Sequence, residues 1–418
     1  MKRIILTLIA LDLISLCSLN IMDVESAKPE IITSSPPAKY IGKILPTPKE
    51  VVYYDRYFTL WDNGKSEVCV YCTEEEVDIA AEQIAARIGY LIGKPSISLP
   101  LIRRIEKGDN CKTVISLGKN SLNELLIDET IEEEEGYIIR KANWGDKAVV
   151  VVKGGSRKGT LWGVASLLQM MKKDGDKVVL RDFECKDWPN YRLRGCQYDP
   201  GIPDEKEAQS TLGWMTYLKL NHIGFGLGCV GPNWRDFLTE EARNKIIYIS
   251  NNAHKLRISP IFYIHPYSLN HPEKSINLGK EEDIAEFTDK CFQVLRLGVD
   301  GVMLRLDDYY SWSKEEEKRF GKKGLESLGK GHLFLINRLY EQMKKTYPRK
   351  VLYVCPYVYA GKSMVRHSEY FRNWDKLPGD VKIVWTGEAT RSLKTSDEAL
   401  EKVEKVLGKY PDILWDNT

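Results

Sequence analysis

Asp307 and Asp308 end the run GVMLRLDDYYSW, residues 301–312. Val302, Met303, Leu304 and Leu306 read as a buried strand, and the apolar run stops at two adjacent carboxylates. In a βα-barrel the loops after the strands build the site, so chemistry gathers where strands end. Two acids at one strand end can divide acid and base work on a single substrate. Asp-Asp pairs also occur as solvated turns and helix caps, so what the other strands bring to the same end decides the reading.

From position 191 strand and helix patterns alternate. Strands are expected at 191–199, 221–227, 258–265, 301–308, 351–359, 381–386 and 412–417. Helices are expected at 205–219, 240–256, 281–297, 325–346, 369–377 and 397–407. Such alternation implies a parallel sheet with helices outside it. Most of these strands end in polar residues, which favours a barrel over an open sheet. The seventh strand reaches almost to Thr418, so the expected barrel ends at strand seven. Two unpaired edges are normally avoided, so either the polypeptide is truncated or a partner or swapped segment closes the sheet.

The strand ends bring together a set of polar and aromatic groups. Strand one gives Arg194 to Asp199 (RGCQYD), strand four the two aspartates, and strand five CPYVYAG at 355–361. Strand six gives Trp385-Thr386-Gly387 and strand seven Trp415-Asp416-Asn417.

These residues resemble the catalytic barrel of glycoside hydrolase family 84, the O-GlcNAcase, β-N-acetylglucosaminidase and hyaluronidase-like family. The motifs LDD, CPxxYxG, VWTG and WDN follow in that family's order between 301 and 417. Asp187-Trp188-Pro189 with Tyr191 and Arg194-Gly195 is similar to the family's entry into its barrel, and bacterial members also carry an N-terminal α/β domain.

The resemblance implies removal of terminal 2-acetamido sugars with retention. The substrate's own acetamido oxygen attacks the anomeric carbon, so no protein nucleophile, metal or cofactor is required. It implies that Asp307 binds the acetamido N–H. Asp308 then protonates the leaving oxygen and later activates water. Tyr359 orients the acetamido group, Asn417 helps position that group or Asp307, and Trp415 walls the pocket. Gly195 and Trp385 complete the implied substrate contacts.

The chain departs from the family pattern at three places. CQYDPG stands at 196–201 where an EGFYG-like segment is usual. The stretch 226–234 (GLGCVGPNW) holds no Lys where a sugar-binding Lys is usual. The sequence stops at Thr418, before a sugar-binding Asp that usually follows WDN. A non-catalytic descendant that binds a glycan or a protein is therefore the alternative, and a barrel hydrolase using Asp199 as a further carboxylate is a third reading.

The rest of the chain sets the context. Residues 1–27 are expected to be a signal peptide: Lys2 and Arg3 precede the apolar run 4–19, and Val24 to Ala27 offers small residues for cleavage. Export to the periplasm or medium follows from that expectation. Residues 28–43 are Pro- and Ser-rich and read as a linker. Residues 44–185 read as an N-terminal α/β domain, with strands at 51–54, 113–117, 137–140 and 148–153 and helices at 74–92 and 159–171. The barrel takes 186–418.

A net charge of +2 gives no electrostatic case for nucleic acid or an anionic membrane. No later stretch is apolar enough to span a bilayer. The expected partner is a glycan or glycoprotein substrate. Cys69-Val70-Tyr71-Cys72 lies in a strand-like run with no second pair nearby, which reads as packing.

Overall fold

The structure, a computed structural model, describes residues 6–9, 42–73, 78–94, 97–102, 111–198 and 201–417. Most of the expected signal peptide and linker, the first residues of the 74–92 helix and Asp199 lie outside the described residues. Two compact units are distinguished, one up to Asn190 with Gly213–Lys219, the other from Tyr191 with the N-terminal segment.

The first unit is a mixed sheet. Its order runs Lys65–Ser66, Glu50–Asp62, Lys177–Asp187, Tyr137–Trp144, Lys147–Gly154, Thr113–Leu117, Val68–Tyr71 and Leu101–Ile102, with Met171–Asp174 hairpinned onto Lys177–Asp187. The valines of Lys147–Gly154 are buried on both faces, as a central strand requires. Helices Asp78–Leu91 and Arg157–Gln169 cover one face, placing Ile84, Ile88, Leu161 and Val164 in the core. The strand Lys177–Asp187 went unread in the sequence because KVVLRDFECKD mixes charge into its alternation. Cys69, within Val68–Tyr71, and Cys72, just beyond it, are both buried.

In the second unit seven strands pair in parallel and in chain order: Arg194–Gln197, His222–Gly226, Ser259–Ile264, Gly301–Arg305, Val351–Cys355, Lys382–Trp385 and Ile413–Asp416. Each is shorter than its expected run because the polar tail leaves the ladder. Leu306, for example, still donates its N–H to the Cys355 carbonyl, and the chain then turns away.

The sheet does not end at strand seven. Leu6–Ile9 pairs in parallel with both Arg194–Gln197 and Ile413–Asp416 and completes a ring of eight. This strand falls within the expected signal peptide, and cleavage there would leave those two edges unpaired.

The outer helices follow from amphipathic spacing and caps. Asp397–Leu407 buries Leu400, Val403 and Leu407. It is capped by the Ser396 side chain at its start and by left-handed Gly408 at its end. The helix expected at 369–377 is instead two short turns, Ser368–Phe371 and Trp374–Lys376, after a helix at Gly361–Arg366. Asn373 is left-handed at φ 73° and breaks the run. Tyr370, Phe371 and Trp374 form a ring cluster with centroids 4.8–5.3 Å apart, and this tertiary packing outweighs helical spacing. A further helix, Lys314–Phe320, is fixed by a capping box between Ser313 and Glu316.

Candidate active site

The strand Gly301–Arg305 delivers the two aspartates into contrasting surroundings. Asp307 is buried, and Asp308 is exposed. Asp308 sits at φ 63°, a left-handed conformation that costs on the order of 1 kcal/mol for a residue with a Cβ. Strand geometry would send neighbouring side chains to opposite faces. The left-handed residue breaks that alternation, and both carboxylates act on the same neighbours, Tyr359 and Cys229.

Arg305 grips Asp307. Its Nε donates to Oδ1 at 3.3 Å and its Nη2 to Oδ2 at 2.8 Å. Burial alone would push the Asp307 carboxyl up, but the charge and hydrogen bonds of Arg305 outweigh burial and hold it below its ordinary value. Residues two apart on a strand share a face, so the RLD spacing already contained this pair, which the sequence reading missed.

His265, at the end of Ser259–Ile264, holds the Asp307 main chain. Its Nδ1 accepts the Tyr267 N–H at 3.1 Å, so the proton is assigned to Nε2, which donates to the Asp307 carbonyl at 2.7 Å. Burial pushes His265 down and keeps it neutral. The Cys355 thiol is held protonated by burial and by the charge of Asp307, to which it donates.

Tyr359 donates its hydroxyl to Asp308 Oδ1 at 3.1 Å. Burial and then the Asp308 charge push the Tyr359 hydroxyl up, so it is a donor at every working pH. Its backbone is fixed from strand six: Thr386 N–H donates to the Tyr359 carbonyl at 3.1 Å, and Gly361 N–H donates to the Gly387 carbonyl at 2.8 Å. The VWTG and YAG segments therefore position Tyr359 together.

A buried relay backs this arrangement. Tyr267 Oη lies 3.0 Å from His332 Nε2, His332 Nδ1 lies 2.6 Å from Tyr370 Oη, and Tyr370 Oη accepts the Tyr357 N–H at 3.2 Å. It links the loop that carries His265 to the loop that carries Tyr359. The isolated histidines gave no motif spacing, so nothing in the sequence marked it.

The other expected site residues serve mainly as framework. Trp415 is buried in the barrel interior beside Tyr263, at 5.7 Å between centroids. Its Nε1 donates to Asn417 Oδ1 at 2.9 Å, and Asn417 Nδ2 donates to the Thr390 carbonyl at 2.8 Å. Asn417 is thus engaged with Trp415 and Thr390, and no bond from it to Asp307 is seen. Trp385 is buried, with its ring packed by Gly361. Gly195 is required by strand spacing: a Cβ there would lie 2.2 Å from the His222 carbonyl oxygen. Tyr198 is half-buried and donates its N–H to the Gly224 carbonyl.

A cleft of about 340 Å³ opens beside Arg235, Lys280, Asp283, Trp312 and Glu316 and includes neither aspartate of the pair. Two of its charged walls are already paired internally. Arg235 pairs with Asp283 at 2.8 Å, and Glu316 accepts the N–H groups of Ser313 and Leu278. The carboxylate pair is therefore the better candidate.

Comparison with known proteins bears on the fold. Residues 230–418 match the family model described as beta-N-acetylglucosaminidase. The structure aligns with CpGH84B at a TM-score of 0.64 and 19% identity, over 89% of this chain and 61% of that one. The fold is similar to that of this family-84 structure. A β-N-acetylhexosaminidase from Bacteroides fragilis aligns at a TM-score of 0.58 and 17% identity, over 83% of this chain and 70% of that one. Protein O-GlcNAcase of Rattus norvegicus is 23% identical over 192 residues, which is 44% of this chain and 19% of that protein. The chain thus spans about a fifth of the length of that curated relative. The match to the beta-N-acetylglucosaminidase model begins at position 230, so its range includes Asp307, Asp308, Tyr359, Trp385, Trp415 and Asn417. No helix among the described residues is long and apolar enough to cross a membrane.

Proposed function

We propose that this chain is a glycoside hydrolase that removes terminal β-linked N-acetylglucosamine from a glycan or glycoprotein by substrate-assisted, retaining catalysis. The observation that carries the reading is the contrast within one pair. Asp307 is buried and clamped as an anion, and Asp308 is exposed beside a tyrosine donor. Two carboxyl groups with opposed environments are the arrangement acid–base chemistry needs.

In this mechanism Asp307 accepts the acetamido N–H and turns the acetamido oxygen toward the anomeric carbon. That oxygen forms the new bond as the glycosidic bond breaks. Asp308 donates its proton to the leaving oxygen. Asp307 stays ionised and stabilises the positive charge that develops on the oxazolinium ring. Asp308, now the base, takes a proton from the water that reopens the ring. With substrate bound, the Tyr359 hydroxyl donates to the acetamido group in place of Asp308.

The test is hydrolysis of a chromogenic N-acetyl-β-glucosaminide, with product configuration read by NMR. A trifluoroacetamido analogue, whose oxygen is a poorer nucleophile, should turn over much more slowly. Equal rates for the two substrates, or an inverted product, would overturn substrate assistance. No hydrolysis by folded protein would favour a non-catalytic binding protein. Export is part of the proposal and rests on the pattern of residues 1–27; sequencing the mature N-terminus tests it.

A further inference from the structure

We propose that Arg305 is the positioning residue of this site: its guanidinium fork fixes the plane of the Asp307 carboxylate and keeps it anionic for the step it performs. The inference rests on the substrate-assisted reading above.

The geometry supports it in three ways. The fork reaches both oxygens of Asp307, at 3.3 and 2.8 Å, and such bidentate pairs fix orientation as well as charge. Both partners are withdrawn from solvent, with side-chain exposures of 16% for Arg305 and 8% for Asp307. The loop after strand two closes over the guanidinium: a Cβ on Gly228 would stand 3.8 Å from Nη1. A carboxylate has about four lone-pair positions, so the fork leaves room for an acetamido N–H.

The groups around Asp307 leave this task to Arg305. His265 from strand three holds only the main-chain carbonyl and is kept neutral by burial. Burial likewise keeps the thiols of Cys355 from strand five and Cys229 from the strand-two loop protonated, with the two aspartates adding to the effect. Tyr359 is a neutral hydroxyl, and Asp308 next in the chain supplies no positive charge. Arg305 is the opposite charge that acts most strongly on Asp307. Without it, a buried carboxyl beside another acid takes up a proton, and a protonated Asp307 cannot stabilise the developing cation.

The experiment measures kcat and KM against pH for the wild type, Arg305→Gln and Arg305→Lys in the full chain. Arg305→Gln should lower kcat at neutral pH on the order of 100-fold, the scale of a misplaced reacting group. It should also move the acid limb of the profile up by about one to three pH units, the usual span of an Arg effect on Asp. Arg305→Lys, which keeps the charge without the fork, should restore the limb but only part of kcat. A fall in kcat with an unmoved acid limb in Arg305→Gln would overturn the proposal.

A readout independent of turnover separates this from the functional reading. The carboxyl ¹³C resonance of Asp307 should titrate at higher pH in Arg305→Gln than in wild type, whether or not the wild type hydrolyses any 2-acetamido glycoside. Coincident titrations would sink the role of Arg305. Should Arg305→Gln fail to fold, the double variant Arg305→Gln/Asp307→Asn should fold again, since the buried charge is gone. Failure of that rescue counts against the proposal as well.

Discussion

Each unit of this protein buries an aspartate against cations, and the two pairs serve different ends. Asp182 lies inside the strand Lys177–Asp187 of the first unit, 1% exposed. It is bound by Arg56 and, at 3.5 Å, by Lys141. Asp307 lies just past a strand end of the barrel, 5% exposed, bound by Arg305. Burial and pairing are alike, so neither marks a site. What differs is the next residue: Asp182 is followed by buried Phe183, and Asp307 by an exposed acid held left-handed at φ 63°. A buried charge that ends in its own ion pair supports a sheet. A buried charge with a strained, accessible acid beside it is the arrangement the proposed chemistry requires.

The largest expected effect tests that difference directly. Asp308→Asn should reduce hydrolysis by on the order of 1,000-fold, within the range for a general acid–base group. Asp182→Asn should leave the turnover of folded enzyme unchanged. Equal losses in the two variants would mean that the pairs do not differ in kind.

The next effect concerns which partner is left behind. Arg305→Met strands a buried carboxylate and should cost about 3–5 kcal/mol in denaturant unfolding at neutral pH. Arg56→Met leaves Asp182 with Lys141, and Arg56 itself is 57% exposed, so its loss should cost only about 1 kcal/mol. Similar costs would show that the two acids are equally dependent on a single partner.

A third difference lies in pH. All six histidines occur at or beyond position 222, so the barrel carries the histidine response. Burial pushes His332 down to about 3 from its ordinary 6.5. Above 6.5 the imidazole is neutral in both folded and unfolded chains and contributes no slope. Below 6.5 the unfolded chain binds a proton that the folded chain refuses, so stability is lost as pH falls toward 3. His332→Gln should remove up to about 1.4 kcal/mol per pH unit from that slope, the value for one proton. An unchanged slope would place the acid sensitivity elsewhere, with His265 the first candidate because burial lowers it as well.

Much of this arrangement was legible in the sequence, and the gaps have physical causes. Asp397–Leu407 and Leu325–Thr346 were readable to the residue: Ser396 and Gly408 bound the first, and a continuous apolar face from Leu328 to Met343 marks the second. Residues 369–377 misled because an aromatic cluster imitates helical spacing while packing as two turns. The acid pair stood out as a strand end, and Tyr359 was expected beside it by resemblance; its hydroxyl does meet Asp308. Arg305 was not, since it sat inside a run read as apolar and its partner is set by side-chain direction. Asn417 was expected near Asp307 by resemblance; its bonds to Trp415 and Thr390 depend on a loop fold that no local spacing encodes.

The smallest expected effect sharpens the same contrast with matched substitutions. Trp162 in the first unit and Trp415 in the barrel are both buried, and each indole N–H has one acceptor, Glu135 at 3.1 Å and Asn417 at 2.9 Å. Phenylalanine keeps most of the ring contact and removes the donor, so each Trp→Phe change should cost about 1–2 kcal/mol of stability. Only Trp415→Phe releases a residue at the mouth of the barrel, since Asn417 then keeps the Thr390 carbonyl alone. KM for the glycoside should therefore rise a few-fold in Trp415→Phe and stay unchanged in Trp162→Phe. A KM unchanged in both would assign Trp415 wholly to the core, and the substrate wall would have to come from Tyr359 and its neighbours.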